Sequence, residues 1–316
     1  MAFFREKKKF QEAILYEKNY KMHVFAFFTI LIWGSAFPFT RIIGDQFSSY
    51  TLACVRCVVP AVFLLLLGKS FALKKPFCKT DLLWFAITGM GAYSACSLFF
   101  NLGLETLTSS TASMVTSIAP VLTAIGVWKI YGEKIRPVGW LCICAAFAGV
   151  CILLLWQGSL SGGIGILWEA LYAVVFAVYN VICRKLGEKG YSPMDIVTWS
   201  AVFGAVEMLA FVPATVSDFC EATVPAALAV LYIGLFPAGL AYIFWNRALD
   251  MAENTSTVSN WLFVIPLVAS VLGFVLLREV PDMGTIIGGI VIIASVVVFS
   301  LKGVPGSKQL DAEKNE

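Results

Sequence analysis

The sequence predicts an all-α membrane protein: ten transmembrane helices in two inverted five-helix repeats, with both termini in the cytoplasm (N-in/C-in). Three observations carry that reading. The chain of 316 residues is 59% hydrophobic and 14% charged, with a mean hydropathy of +0.84. A soluble domain is about 45–50% apolar and about 25% charged, so lipid must surround most of this chain. The other two observations are a series of continuous apolar runs and an internal repeat.

A helix needs about 20 mostly apolar residues to cross the hydrocarbon core. Such runs lie at 22–41, 50–68, 82–103, 110–131, 138–156, 163–184, 194–216, 225–246, 256–277 and 283–301. They are continuous rather than alternating, which selects helices over the strands of a membrane barrel. Lys and Arg then orient them. Arg5, Lys7, Lys8, Lys9, Lys18 and Lys21 precede the first run. Lys69, Lys74, Lys75 and Lys79 lie between the second and third, and Lys129, Lys134 and Arg136 between the fourth and fifth. Arg184, Lys185 and Lys189 lie between the sixth and seventh, Arg247 after the eighth, and Lys302, Lys308 and Lys314 in the tail. Only Arg41 and Arg278 fall near the opposite ends, and Arg56 lies within a run. The positive-inside rule therefore puts both termini in the cytoplasm.

The segments divide accordingly. Residues 1–21 form a basic cytoplasmic segment and not a cleavable signal, since the run after it is long and lacks a small-residue cleavage pattern. Phe3, Phe10 and Ile14 among its lysines suit either an amphipathic helix on the inner leaflet or a plain disordered tail. The first repeat covers 22–156, the second 163–301, and the tail 302–316 reads as disordered. The repeat shows in an Asn–Pro–Glu–Gly spacing. Asn101, Pro120, Glu133 and Gly139 are matched by Asn246, Pro266, Glu279 and Gly284, at an offset of 145 or 146. A unit of five spans is odd, so the halves must lie in opposite orientations. Inverted repeats are a recurrent architecture of secondary transporters, which bind solute at the repeat interface.

Five segments carry a resemblance: Trp33-Gly34-Ser35-Ala36-Phe37, Arg56, Ile118-Ala119-Pro120 leading to Tyr131-Gly132-Glu133, Val264-Ile265-Pro266, and Leu277-Arg278-Glu279. Over 22–301 the chain resembles the drug/metabolite transporter superfamily, in its ten-helix exporter branch of EamA type. The resemblance implies a bundle of two inverted halves around a central cavity, with Trp33 and Phe37 in its wall. It also implies transport, often export, of amino acids or other small metabolites. The second repeat departs from the first in having Arg278 where the first has Gly132.

Ionisable residues within spans are costly and usually face a cavity or a partner. Arg56 reads as a contact for a substrate carboxylate, or as a structural ion pair or snorkelling cation. Glu169 shares a helix face with Tyr172, Phe176, Tyr179 and Cys183. That face suits a cavity wall for an amphiphilic solute; the plain alternative is an acid capping its helix. Glu207 lies mid-span, with Trp199 and Phe203 on its face. It reads as a proton carrier or cation contact, or as a protonated acid bonded to a neighbouring helix. Polar stripes add Tyr93, Ser97 and Asn101, then Ser110, Ser113 and Ser117, then Tyr242 and Asn246, and finally Ser256, Ser259 and Asn260 beside Trp261. Each such group needs a helix, solute or water partner. Pro120 and Pro266 each remove a backbone bond from a span, as gates or as static kinks. Gly284 with Gly288, and Ala145 with Gly149, suit close helix packing or a homodimer face.

Nine cysteines are scattered through the chain without metal spacing, and free thiols are expected. The one histidine, His23, leaves no zinc constellation or His-dependent nucleophile, and no phosphate-cradling loop is present. An enzyme is therefore not expected, nor a metal, cofactor or nucleic-acid partner. The expected activity is secondary active transport by alternating access: export of small organic metabolites such as amino acids from the plasma (inner) membrane, with proton coupling through Glu169 or Glu207. The alternatives are a lipid or glycolipid-headgroup flippase on the same fold, and an uncoupled facilitator or channel.

Overall fold

In a computed structural model the backbone is described for residues 2–71, 78–132, 135–157, 160–251 and 260–303. The chain is helical throughout these segments. Helix α1 (Ala2–Ile43) is followed by α2 (Ser49–Phe71), α3 (Leu82–Ala92), α4 (Ser94–Leu104), α5 (Ser109–Thr116), α6 (Ala119–Tyr131) and α7 (Pro137–Gln157). The second half holds α8 (Leu160–Glu188), α9 (Pro193–Glu207), α10 (Val212–Glu221), α11 (Val224–Leu235), α12 (Ala241–Met251), α13 (Ile265–Leu277) and α14 (Met283–Val298). Six stretches are long and apolar enough to cross a membrane: Tyr20–Ile43, Ser49–Leu67, Lys79–Leu104, Ser109–Tyr131, Gly163–Glu188 and Val224–Ala248. The bent pair α9–α10 would make a seventh, and Pro137–Leu153, Ile265–Leu277 and Met283–Val298 are shorter apolar helices. Large apolar side chains such as Leu141, Leu155, Leu267 and Ile290 lie exposed on the perimeter, as a lipid-facing surface requires. The amphipathic reading of Phe3, Phe10 and Ile14 concerns side chains outside the described residues. Glu133, Ser256 and Ser259 lie outside them as well, as do the side chain of Asn260 and the tail from residue 304.

Several spans are broken where the sequence reads as continuous. The third is interrupted at Tyr93, between α3 and α4. The seventh bends by 48° after Glu207, where Pro213 opens α10 with its missing N–H in the first turn. In the eighth, Phe236–Leu240 forms a π turn around Pro237. Pro120 and Pro266 do not kink a running helix. The chain breaks before each, so that each sits in the first turn of a new helix, where the absent N–H has no partner to lose.

Two helix ends match across the repeat. Gly132 caps α6 in the left-handed region at φ 71°, and Arg278 caps α13 there at φ 58°. The Gly-to-Arg departure thus changes the residue but not the backbone geometry. Small residues bring helices close elsewhere. A Cβ at Gly288 would lie 2.9 Å from the carbonyl oxygen of Gly149, so α7 and α14 meet with almost no side chain between them. The two small-residue faces therefore cover each other within one chain. Gly284 lies against Trp156 of α7.

The bundle has two distinct ends. At one, Arg41 pairs with Glu279, whose Oε2 also accepts the Ser109 backbone N–H at 2.8 Å. At the other, Asp81 pairs with Lys189 and accepts the Tyr191 hydroxyl at 3.0 Å.

Candidate solute cavity

A cavity of about 430 Å³ lies between the two halves. Its wall is built mainly from α1, α2, α4, α6 and α8, the π turn and α12, with Ala92 of α3, Thr116 of α5, Ile265 of α13 and also Leu262 completing it. The cation in it is Arg56, whose guanidinium lies over the Phe100 ring at 4.5 Å. Its Nε and Nη1 are buried with no hydrogen-bond partner. A buried N–H without a partner is costly, so these atoms mark a place for an acceptor. Phe100 in turn packs on Phe37 at 4.9 Å and on Tyr172 at 5.7 Å. Tyr172 and Phe176 stack at 5.9 Å with planes 5° apart. One turn from Phe37 on α1, Trp33 meets Tyr242 at 5.5 Å and Trp245 at 5.3 Å. The result is an aromatic chamber in which Arg56 is the one cation among the described wall residues.

The structure gathers Trp33, Phe37, Arg56, Ser97, Ser117, Tyr172, Tyr242 and Pro120 in that wall. It leaves the other proposed residues out of it. Tyr93 is buried behind the wall, stacked on Tyr242 at 5.7 Å, with Gly204 of α9 against its ring. Asn101 is buried near the end of α4 and donates to the Ser49 carbonyl at 3.1 Å. Tyr179 packs in an apolar cluster with Tyr93 and Val197. Asn246 turns back on its own helix, donating to the Tyr242 carbonyl at 2.8 Å. Trp199 packs beside Phe85, Ile182 and Leu186. Glu207 accepts the Ser94 hydroxyl across to α4. Glu169 is fully buried one turn from Tyr172, and both its oxygens lack a hydrogen-bond partner. Pro266 is buried next to Ile265, which does reach the wall.

Sequence reasoning missed Asn180, Thr123, Pro237, Ala238 and Trp245 as wall residues. Asn180 donates to the Thr123 hydroxyl at 3.4 Å, joining α8 to α6. It sits four residues after Phe176, on the same aromatic stripe, so its spacing could have found it. Pro237 carried a signal too, a proline followed by Ala238 and Gly239 in the middle of an apolar run. Its carbonyl accepts the Trp33 indole N–H at 3.0 Å, which the π turn makes available. Such turns occur often at functional sites. The Ser110 hydroxyl, by contrast, bonds Ser270 at 2.7 Å, and Thr111 bonds Thr285 at 2.8 Å. Those groups join α5 to α13 and α14 and do not face the cavity.

The profile of the EamA-like transporter family matches this chain twice, over residues 20–155 and 163–301. The chain belongs to that family. It is accordingly a multi-pass membrane transporter and not an enzyme. Among similar proteins, a probable terminal-alkyne amino-acid exporter of Streptantibioticus cattleyicolor is 28% identical over 86% of this chain and 91% of its own. An uncharacterized transporter of Bacillus subtilis, YdfC, is 26% identical over 86% of this chain and 88% of its own. One solved crystal structure superposes on 89% of this chain and 97% of its own, with a TM-score of 0.58 at 18% identity. That likeness is one of fold.

Proposed function

We propose that this protein is a secondary transporter that exports small amphiphilic carboxylates of amino-acid type by alternating access. The observation that carries the reading is Arg56, a cation with unsatisfied N–H groups set in an aromatic chamber. A carboxylate would satisfy those groups with charge-assisted bonds. The rings of Trp33, Tyr242 and Trp245 would take an apolar side chain, and their faces would attract an ammonium group. A volume of about 430 Å³ lies at the small end of the usual range for ligand pockets, about 300–1,000 Å³. The name of the Streptantibioticus relative supports an amino-acid-like solute and the outward direction.

The architecture that goes with this reading is ten crossings in two inverted five-helix halves, with both termini in the cytoplasm of an inner-membrane protein. The six long spans, the bent pair and the three shorter apolar helices together number ten, which supports it. In that orientation the Glu279 end faces outward.

Counterflow in proteoliposomes tests the reading with a panel of amino acids, their amides and cationic drugs. Carboxylate solutes should exchange and their amides should not, and Arg56→Ala should raise the apparent KM for the carboxylates. Equal transport of acid and amide sinks the role of Arg56. Reorientation of lipid headgroups without solute flux replaces the carrier with a flippase.

A further inference from the structure

The chamber has a polar feature that Arg56 and the rings leave unused: the break between α5 and α6. Thr116, Ser117, Pro120 and Thr123 line the cavity there, joined by Asn180 of α8. Pro120 has no N–H to offer the Thr116 carbonyl four residues before it. The next N–H, that of Val121, goes to the Ile118 carbonyl at 3.0 Å and not to that of Ser117. Both carbonyls have thus lost their helical donors, at the negative end of the α5 dipole. The hydroxyls around them are already committed as donors. Those of Thr116 and Ser117 donate to the Ser113 carbonyl, at 2.9 and 2.8 Å, and that of Thr123 donates to the Ala119 carbonyl at 2.9 Å. Their oxygens therefore present acceptor lone pairs. Asn180 gives an amide N–H to Thr123 at 3.4 Å, which leaves its amide oxygen as another acceptor. The matching break in the second half is apolar. At the offset of 146 that relates Pro120 to Pro266, Leu262 stands for Thr116 and Ala269 for Thr123. A proline break therefore does not itself demand hydroxyls. Arg56 lines the same cavity, and Phe100 beneath its guanidinium shares one apolar cluster with Val115, Ile118 and Ala119.

We propose that the α5–α6 break is an ammonium subsite, so that the solute is a zwitterion with its carboxylate on Arg56 and its ammonium on the oxygens of Thr116, Ser117, Thr123 and Asn180. The proposal rests on the carboxylate reading above. An ammonium has three N–H donors and no acceptor, which matches a group of oxygens whose own hydrogens are already given away. Hydrogen bonds from such a cation to oxygen are strong and directional. The ring faces of Trp33, Tyr242 and Trp245 attract a cation without fixing its N–H groups. Break and rings therefore divide the solute: the break orients the ammonium, and the rings take the apolar body. A zwitterion also brings no net charge into the chamber, where a charge without a counter-charge is heavily penalised.

Calorimetric binding to the purified full chain tests this with three probes of equal carbon count: hexanoate, which has no ammonium, and its amino derivatives L-norleucine and 6-aminohexanoate. The two amines hold the ammonium at different distances from the carboxylate. The better of them should bind about tenfold more tightly than hexanoate, the scale of one charged hydrogen bond. The double variant Ser117→Ala with Thr123→Val should lower that amine-to-hexanoate ratio about tenfold on the same scale. Asn180→Asp, on another helix, should raise the ratio by placing an anion at the break, and it decides the matter if the double variant binds no probe. A wild-type ratio near one, or a ratio indifferent to both changes, overturns the proposal. Loss of the amine advantage in Trp245→Leu but not in the double variant gives the ammonium to the rings and overturns it too. Hexanoate binding that requires sodium gives the break to a metal ion, with the same consequence. The two readings fail separately. A ratio indifferent to the break, with hexanoate binding still weakened by Arg56→Gln, removes the ammonium subsite and leaves the carboxylate reading. Hexanoate binding undiminished in Arg56→Gln removes the carboxylate reading.

Discussion

The two ends of the bundle are held together differently. At the Glu279 end, polar ties run between many helices. Arg41 of α1 meets Glu279 just beyond α13, and Glu279 takes the first N–H of α5. Ser49 of α2 donates to Glu105 at 2.5 Å, and Thr51 donates to Asp218 of α10 at 2.5 Å. The Thr223 hydroxyl, ahead of α11, donates to Gln46 at 2.9 Å. At the Asp81 end the described ties also cross between helices: the Tyr131 hydroxyl donates to the Val181 carbonyl at 3.3 Å, and the Arg136 backbone N–H to the Gly303 carbonyl at 2.9 Å. Asp81, Lys189 and Tyr191 join the start of α3 to the link between α8 and α9, and the Trp261 indole donates to His23 at 3.1 Å. A membrane interior offers no water to replace such bonds. The Arg41–Glu279 pair is thus the tie expected to seal its end of the bundle.

Three substitutions break or sharpen this contrast. The largest effect is expected at Glu279, whose side chain is 8% exposed. Glu279→Ala strands the Ser109 N–H and leaves Arg41, which is 30% exposed, without its partner, so the loss should be about 3 kcal/mol, the scale of two charged hydrogen bonds. Thermal unfolding in detergent should show a clearly lowered midpoint; an unchanged midpoint would mean that this end is not sealed by the pair. A smaller loss is expected at the other end. Lys189 is 37% exposed there and stays solvated without its partner, so Asp81→Asn should cost about 1–2 kcal/mol, on the scale of one charged hydrogen bond. A loss equal to that of Glu279→Ala in the same unfolding assay would erase the distinction between the ends. The smallest effect has the opposite sign. Arg278 holds a left-handed conformation at φ 58°, which costs a residue with a Cβ about 1–2 kcal/mol. Arg278→Gly should raise stability by about 1 kcal/mol and leave the Arg41–Glu279 pair intact. A lowered midpoint would show that the Arg278 side chain contributes to the seal.

Much of the fold is legible in the order of the amino acids. The apolar runs at 22–41 and 163–184 coincide closely with the helical stretches Tyr20–Ile43 and Gly163–Glu188, because local hydropathy decides where a helix meets lipid. The breaks are less legible. The bend after Glu207 and the π turn around Pro237 lie inside continuous apolar runs, and hydropathy does not register a change in backbone pairing. For the candidate site, aromatic and cationic residues at helical spacing led to Arg56, Tyr172 and Tyr242 in the wall. The same spacing also suggested Tyr179, Asn246 and Trp199, which face other helices. A stripe marks one face of a helix, but not whether that face meets a cavity or a neighbour.

The sequence by itself determined that this is a membrane-embedded, all-helical chain with a repeated Asn–Pro–Glu–Gly spacing. Hydropathy and residue order are local properties, and no packing can change them. It also determined that few charges lie within the apolar runs, among them Arg56, Glu169 and Glu207. Only the tertiary structure decided their separate places. Arg56 reaches the chamber, Glu207 is tied off on Ser94, and Glu169 is enclosed against Gly103. The reason is that contacts between helices distant in sequence depend on which small residues let them approach. Gly103 and Gly204 carry no side chain to advertise the neighbour they admit.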